Sequence, residues 1–228
     1  MGIVEIGGTM LSRAGERVDL AAQNMANLTT PGYKSRSVFP TMLTGQAQAP
    51  AASSNAVDFT NGSLTSTGNP LDLAIGGSGF FAVRGSDGVF YTRSGQFSRG
   101  SDGKLKTPEG MVLQSVSGDL VLGEGDPTVL ADGTVTCEGA PVGRIAVVNF
   151  DNQRQLRAAA GALFAAPEAS AKPAGAQVHQ GMLEASNVST AAEMISIMSG
   201  LRSAGAGQRV VQLYDDLMGR AITAFGQS

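Results

Sequence analysis

Apolar residues recur every seven positions at both ends of this 228-residue chain. Near the start, Val4, Leu11, Val18 and Met25 form one row, and Gly7, Ala14, Ala21 and Leu28 form a second row three positions behind it. Near the end, Ile197, Ala204, Val211, Met218 and Phe225 keep the same interval, with Met194, Ile195, Met198, Leu201, Leu217, Ala221 and Ile222 widening the stripe. A heptad of apolar positions gives a helix one face that must be buried, and that burial supplies most of its stability. Glu5, Ser12, Arg13, Glu16, Arg17, Asp19, Gln23 and Asn24 fall outside the first rows, so the opposite side of that helix is solvated. Each terminal helix therefore needs a partner helix.

Local signals set the expected ends. The first helix is expected to stop where Thr30 meets Pro31, because proline disfavours helical geometry in the residue before it and Gly32 permits a sharp change of direction. The second is expected from about Thr190 to Gly226, opened by Thr190-Ala191-Ala192-Glu193 as a capping box in which threonine and glutamate satisfy free backbone amides. Gly205 and Gly207 lie inside it, and glycine costs about 1 kcal/mol relative to alanine in a helix, so continuity there is left open.

Between the helices the pattern changes from period seven to short extended runs. Val38 to Thr44 reads as a short extended piece, and residues 45–56, small, polar and proline-bearing, read as linker. From Val57 to Phe150 the runs LDLAI, FFAVR, VFYTR, MVLQSV, DLVL, TVL, TVTC and RIAVVNF are predicted strands. Asp87-Gly88, Asp102-Gly103 and Asp132-Gly133 punctuate them as hairpin turns, since Asp and Gly tolerate the positive φ angles such turns need. The Ala, Pro and Gly-rich stretch from Asp151 to Gln180 holds one further short strand at Ala162 to Ala165 and reads as a return path to the second helix. The fold class is α+β: an N-terminal helix (1–36), a linker (37–56), one central antiparallel β domain (57–180) and a C-terminal helix (181–228).

Composition excludes several function classes. A net charge of −3 with no basic cluster argues against nucleic acid or an anionic membrane as partner. Cys137 is the single cysteine, so no intramolecular disulfide and no multi-thiolate zinc site can form. No run approaches the roughly 18 apolar residues of a membrane-spanning helix, and the start has no basic region followed by a continuous apolar segment. The residues alone would place the chain in the cytoplasm.

No catalytic constellation emerges. Gly77, Gly79 and Ala82 match the spacing of a dinucleotide-binding loop, yet that loop must open a helix and here it opens Phe80-Phe81-Ala82-Val83, a strand. His179 is the sole histidine and has no nucleophile beside it in sequence. Asp215 and Asp216 are adjacent, hence turned about 100° apart on a helix, and do not converge. The triplets at Asn27, Asn61 and Asn187 fit a glycosylation pattern that is common by chance. No enzyme, cofactor or metal is expected.

Ala22-Gln23-Asn24-Met25-Ala26-Asn27 followed by Thr30-Pro31-Gly32-Tyr33-Lys34 resembles the N-terminal signature of bacterial flagellar rod and hook proteins, a helix with two asparagines before a Thr-Pro-Gly turn. Three further segments follow in that family's order. Asn69-Pro70-Leu71-Asp72-Leu73-Ala74-Ile75 through Gly79-Phe80-Phe81 is similar to the start of its β domain, and Tyr91 to Phe97 to the segment after it. Gln180-Gly181-Met182-Leu183-Glu184-Ala185-Ser186-Asn187-Val188 is similar to its entry into the C-terminal helix. The resemblance spans the whole chain. One departure is Ser203-Ala204-Gly205-Ala206-Gly207, where the family carries an aromatic residue and a glutamate after the arginine matched by Arg202.

The resemblance implies that the terminal helices pair in an inner coiled-coil layer with the β domain outside, and that subunits stack helically into a hollow drive shaft required for motility. It implies assembly contacts through Val4, Leu11, Val18, Met25, Leu28, Ile197, Leu201, Val211, Met218 and Phe225. It implies as partners other rod subunits, further copies of the chain and the flagellar type III export apparatus, with no nucleic acid and no membrane insertion. The implied location is the basal body, its rod in the periplasm, reached without a cleaved signal peptide, which overrides the cytoplasmic reading. The short length and single β domain point to a proximal rod member, with a distal rod member as the alternative within the family. Outside it, the alternative is a small periplasmic β-domain enzyme or ligand binder.

Overall fold

The computed structural model describes residues 3–38, 55–123, 125–167 and 170–226. The chain divides into two compact units. One holds residues 1–26, 36–56 and 189–228; the other holds residues 27–35 and 57–188. Most of the expected linker, and the expected extended piece beyond Val38, lie outside the described residues.

The first unit is a pair of helices, α1 (Ile3–Ala26) and α2 (Thr190–Gly226), with a small ribbon in which Arg36–Val38 pairs with Asn55–Val57. The helices run antiparallel: a Cβ built on Gly207 would meet Leu11 Cγ at 3.3 Å and the Gly7 carbonyl at 3.2 Å, and one on Gly200 would meet the Ala14 carbonyl at 3.3 Å. Gly7, Ala14 and Ala21 are all buried. The contact is thus a row of small residues every seven positions on each helix, which lets the backbones approach closely. α2 runs unbroken through Gly205 and Gly207. Gly207 offsets its helical cost by this close approach, whereas a Cβ at Gly205 would meet nothing within 4 Å.

Two boundaries differ from expectation. α1 stops at Ala26, not at Thr30. Asn24 turns its side chain away from the helix to bond the backbone of Arg36, donating to its carbonyl at 2.8 Å and accepting from its N–H at 3.0 Å. The following residues form a turn closed by the Thr30 N–H on the Asn27 carbonyl at 3.2 Å. At the start of α2 the cap is Ser189 rather than Thr190: its Oγ accepts from the Ala192 N–H at 3.5 Å. Glu193 Oε1 accepts from Asn24 Nδ2 at 2.9 Å.

The second unit is antiparallel throughout. Its main sheet orders the strands Arg157–Ala158, Leu163–Ala165, Gly88–Thr92, Phe80–Gly85, Val112–Ser115, Leu105–Lys106 and Ser98–Arg99, with Val147–Phe150 bridging Phe80–Gly85 and Ala171–Pro173. A three-stranded sheet (Pro127–Val129, Thr134–Cys137, Ala140–Arg144) and two ribbons (Gln177–Gln180 on Leu73–Gly76; Met182–Glu184 on Leu64–Ser66) complete it. Gly88, Gly103 and Gly133 do take positive φ, as the Asp-Gly turns require.

The run Phe80-Phe81-Ala82-Val83 shows why the unit needs so continuous an apolar stretch. Side chains alternate across a strand. Phe81 and Val83 enter one buried cluster with Leu73, Leu113 and Val135, while Phe80 and Ala82 enter a second with Tyr91, Phe150 and Phe164. Both faces of this strand are covered, so alternation of polar and apolar residues is absent.

Gly181 takes φ +71° and Met182–Glu184 then pairs with Leu64–Ser66, so residues 181–188, before α2, lie in the same compact unit as residues 57–180. Residues 27–35 join the same unit.

Candidate assembly interface

The residues expected to drive assembly divide into three groups. Leu11, Val18, Met25, Ile197 and Val211 are half-buried at the edges of the contact between α1 and α2. A Cβ on Gly7 would collide with Val211, and one on Gly200 with Val18, so these side chains cover the small-residue rows of their own chain. Val4, Leu201 and Met218 are exposed, Leu201 by 60%. Leu28 lies beyond the end of α1 in the following turn and is also exposed. Phe225 lies in the last turn of α2, with its side chain outside the described atoms.

Further exposed apolar residues were not singled out as interface from the sequence: Ile6 and Met10 on α1, and Met194, Ile195, Met198, Leu213, Leu217 and Ile222 on α2. The heptad count assigned the interface to the rows themselves. Glycine and alanine at seven-residue spacing, the second row read on the first helix, mark the close intrachain contact and leave the bulky neighbours free. A groove lined by Met10, Ile195, Met198, Arg202 and Ala206 runs along this face. Length adds to the imbalance: α2 has 37 residues and α1 has 24. Since Gly7 lies level with Gly207 and Val211, residues 216–226 extend past the start of α1, a stretch of about 16 Å. Leu217 and Ile222 in that stretch are 62% and 68% exposed.

The motif residues behave differently, since most are consumed by turns and buried ties. Asn24 bonds Arg36 and Glu193 as described, and Asn27 accepts from Thr30 Oγ1 at 3.2 Å. In the segment from Asn69 to Asp72, the Asn69 side chain accepts from the Leu71 N–H and donates to Asp72 Oδ1, while Asp72 Oδ2 accepts from Thr67 Oγ1 at 2.7 Å. The Asp72 carbonyl takes the Gly181 N–H at 2.8 Å, and Gln180 Nε2 donates to the Pro70 carbonyl at 2.9 Å. Leu71 packs at the margin of the first core cluster. Gly79, at φ +148°, lies against Val147.

Pro31, Gly32 and Tyr33 carry the chain onto the β unit. Gly32 is pressed against the backbone of Arg93 and Ser94, where no side chain fits, and its N–H donates to the Glu184 carbonyl at 2.7 Å. Asn187 accepts from the Ser35 N–H at 2.7 Å and donates to the Asp58 carbonyl at 2.8 Å. Between them, Lys34 Nζ meets Glu184 Oε1 at 2.5 Å and Arg93 Nη1 lies 3.4 Å from Glu184 Oε2. Burial pushes the Lys34 ammonium below its usual pKa, and Glu184 opposes that shift. Lys34, Arg93 and Glu184 stand inside the recognised segments, but nothing in their spacing announced that the three would meet.

His179 is half-buried in the ribbon opposite Ala74, against Gly76. Asp215 and Asp216 are exposed on α2. Gly77 and Gly79 lead into the strand Phe80–Gly85. Among the described residues no cluster of three or more His, Cys, Asp or Glu could hold a metal ion, and no helix is long and apolar enough to cross a membrane.

Comparison with known proteins accords with the geometry. Residues 74–137 match the D1 domain of the flagellar hook proteins FlgE/F/G, and residues 179–224 match the C-terminal region of the flagellar basal-body rod FlgEFG proteins. The flagellar basal-body rod protein FlgF of Caulobacter vibrioides is 31% identical over 92% of this chain and 92% of its own length. FlgF of Escherichia coli is 31% identical over 89% of each chain. The flagellar hook protein FlgE of Escherichia coli is 40% identical over 38% of this chain and 23% of its own length. Matches over nearly full length to rod proteins, and only over a part to the hook protein, place the chain in the flagellar hook and basal-body rod protein family, as a rod protein of the F type.

Proposed function

We infer that this chain is a structural subunit of the proximal flagellar rod and that its two-helix unit is the surface through which it assembles. The observation that carries this reading is the part of α2 past the start of α1, with Leu217, Met218 and Ile222 exposed. An apolar helix face left in water gains roughly 1.5–3 kcal/mol for each large side chain fully buried, so a neighbouring chain laid along it would be held firmly. In this reading Val4, Leu201, Met218 and Phe225 face neighbours directly. Leu11, Val18, Met25, Ile197 and Val211 contribute by holding the helix pair together, and Leu28 lies outside the helical contact.

The partners are further copies and other rod subunits, arranged helically around a hollow axis. The subunit reaches the periplasmic part of the basal body through the flagellar export apparatus, without a cleaved signal peptide. It works without cofactor or catalysis. The residue boundaries 27–35 with 57–188, against 1–26 with 189–228, divide the part that folds alone from the part completed by neighbours.

The test is a paired substitution, Leu217→Asp with Ile222→Asp, scored by motility and by recovery of this subunit in purified basal bodies. Incorporation is expected to fail while export and the thermal melting of the β unit stay unchanged. Normal incorporation would overturn this assignment of the surface.

A further inference from the structure

Three charges are buried together in the β unit. The side chains of Lys34 and Glu184 are 0% and 1% exposed, and that of Arg93 is 3% exposed. Lys34 Nζ also donates to the Thr60 carbonyl at 2.7 Å. Glu184 Oε1 takes a second bond from the Gly62 N–H at 2.9 Å. Arg93 donates through Nη1 to the Ile75 carbonyl at 3.3 Å and through Nη2 to the Gly77 carbonyl and Asn61 Oδ1, with its guanidinium 5.5 Å from the Phe80 ring centre. Two cations and one anion leave an uncompensated positive charge out of contact with water.

We propose that residues Asn27–Ser35 form a strap that closes over an already complete sheet unit and opens as one piece, with Lys34 as its bolt. Neither hydrophobic cluster of the unit contains a residue of this segment. Its only fully buried apolar side chain is Tyr33. The polar ties that hold it include Gly32 N–H to the Glu184 carbonyl, Asn187 N–H to the Tyr33 carbonyl at 3.4 Å, Lys34 to Glu184 and Thr60, Ser35 N–H to Asn187, and Asp58 N–H to the Ser35 carbonyl at 2.9 Å. Arg93 and Glu184 belong to other segments and stay paired when the strap leaves, so its departure orphans no anion. Closing it, by contrast, strips water from an ammonium, a cost that Glu184 offsets only in part. A segment that buries one aromatic ring, adds no residue to either apolar cluster and pays desolvation for its central contact is the kind that opens below the global unfolding threshold. The lock is a property of the β unit and does not rest on the rod assignment.

Residue-resolved amide exchange on the full chain at neutral pH tests this. In Lys34→Met the amides of Gly32, Ser35, Asp58 and Gly62 are expected to exchange at least about tenfold faster, and those of the strand Phe80–Gly85 to change less than about twofold. Equal acceleration of strap and strand would show one cooperative unit and overturn the proposal, as would unchanged strap amides. If that variant fails to fold, the native chain in sub-denaturing urea serves instead. Strap amides are then expected to exchange through an opening with weaker urea dependence than residues 80–85, and a shared dependence would overturn the strap.

Discussion

The β unit hides charge and the helical unit shows grease. In the former, a lysine, an arginine and a glutamate are sealed inside with their hydrogen bonds largely met by carbonyls and side chains of the same unit. In the latter, Ile195, Leu201, Leu213, Leu217 and Ile222 are each at least 60% exposed. The first region keeps its ions among its own carbonyls and side chains, with Arg93 Nε and Glu184 Oε2 making no hydrogen bond. On the reading proposed above, the second leaves a line of large aliphatic residues in water for another molecule to cover. That contrast separates the residues proposed for folding from those proposed for assembly.

That separation can be broken by substitutions on either side. The largest effect on the isolated chain is expected from Phe81→Ala, which empties a fully buried site between the sheets and should cost about 3–5 kcal/mol in denaturant unfolding of the β unit. Ile222→Ala, at a residue 68% exposed, should leave the free subunit within about 0.5 kcal/mol of the parent. Comparable losses from both would erase the distinction.

Next comes the intrachain seam. Leu11→Asp puts a carboxylate beside Gly207 at the contact of α1 with α2 and should cost about 1–3 kcal/mol of helix pairing, read as lost helical circular dichroism in the free subunit. Ser12→Asp, one position along and exposed, should be silent within about 0.5 kcal/mol. Smaller still is the glycine pair. Gly205→Ala has open space and should add up to about 1 kcal/mol to α2. Gly207→Ala should gain nothing, because its Cβ meets the Gly7 carbonyl and Leu11 at 3.2–3.3 Å.

The smallest effect is a pH dependence. Lys34 is faced by Glu184, Arg93 and Asp58, and burial dominates in lowering its folded pKa below the ordinary 10.5. The unfolded chain then binds more protons than the folded one between the two pKa values, so this group's contribution to stability rises with pH across that alkaline window. The stability difference between parent and Lys34→Met should therefore shift toward the parent as pH climbs to about 10.5. A shift the other way would mean that Glu184 outweighs burial.

Much of this was legible in the chain. Seven-residue spacing gave both helices, and alternation with Asp-Gly turns gave the main strands, because those periods are local consequences of helix and strand geometry. Short pairings such as Met182–Glu184 with Leu64–Ser66 escaped, being set by partners far away in sequence. The end of α1 was placed late because the Asn24 side chain bonds the Arg36 backbone beyond the helix and Asn27 closes a turn with Thr30. Within the helices, glycine and alanine on the heptad rows take the intrachain contact, while Val4, Leu201 and Met218 from the expected interface stay exposed together with bulky neighbours such as Leu213 and Ile222. The Lys34, Arg93 and Glu184 cluster could not be read at all, since separations of 59 to 150 positions carry no periodic signal.

The central claim is that the apolar face of α2 is unfinished in one chain and completed by neighbours. Imaging purified basal bodies at side-chain resolution tests it directly. The expected result is density for this chain with Leu213, Leu217 and Ile222 packed against other subunits, and the cluster around Lys34 intact inside the β unit. Those three side chains facing solvent in the assembled rod, with contacts made through the β unit alone, would contradict it.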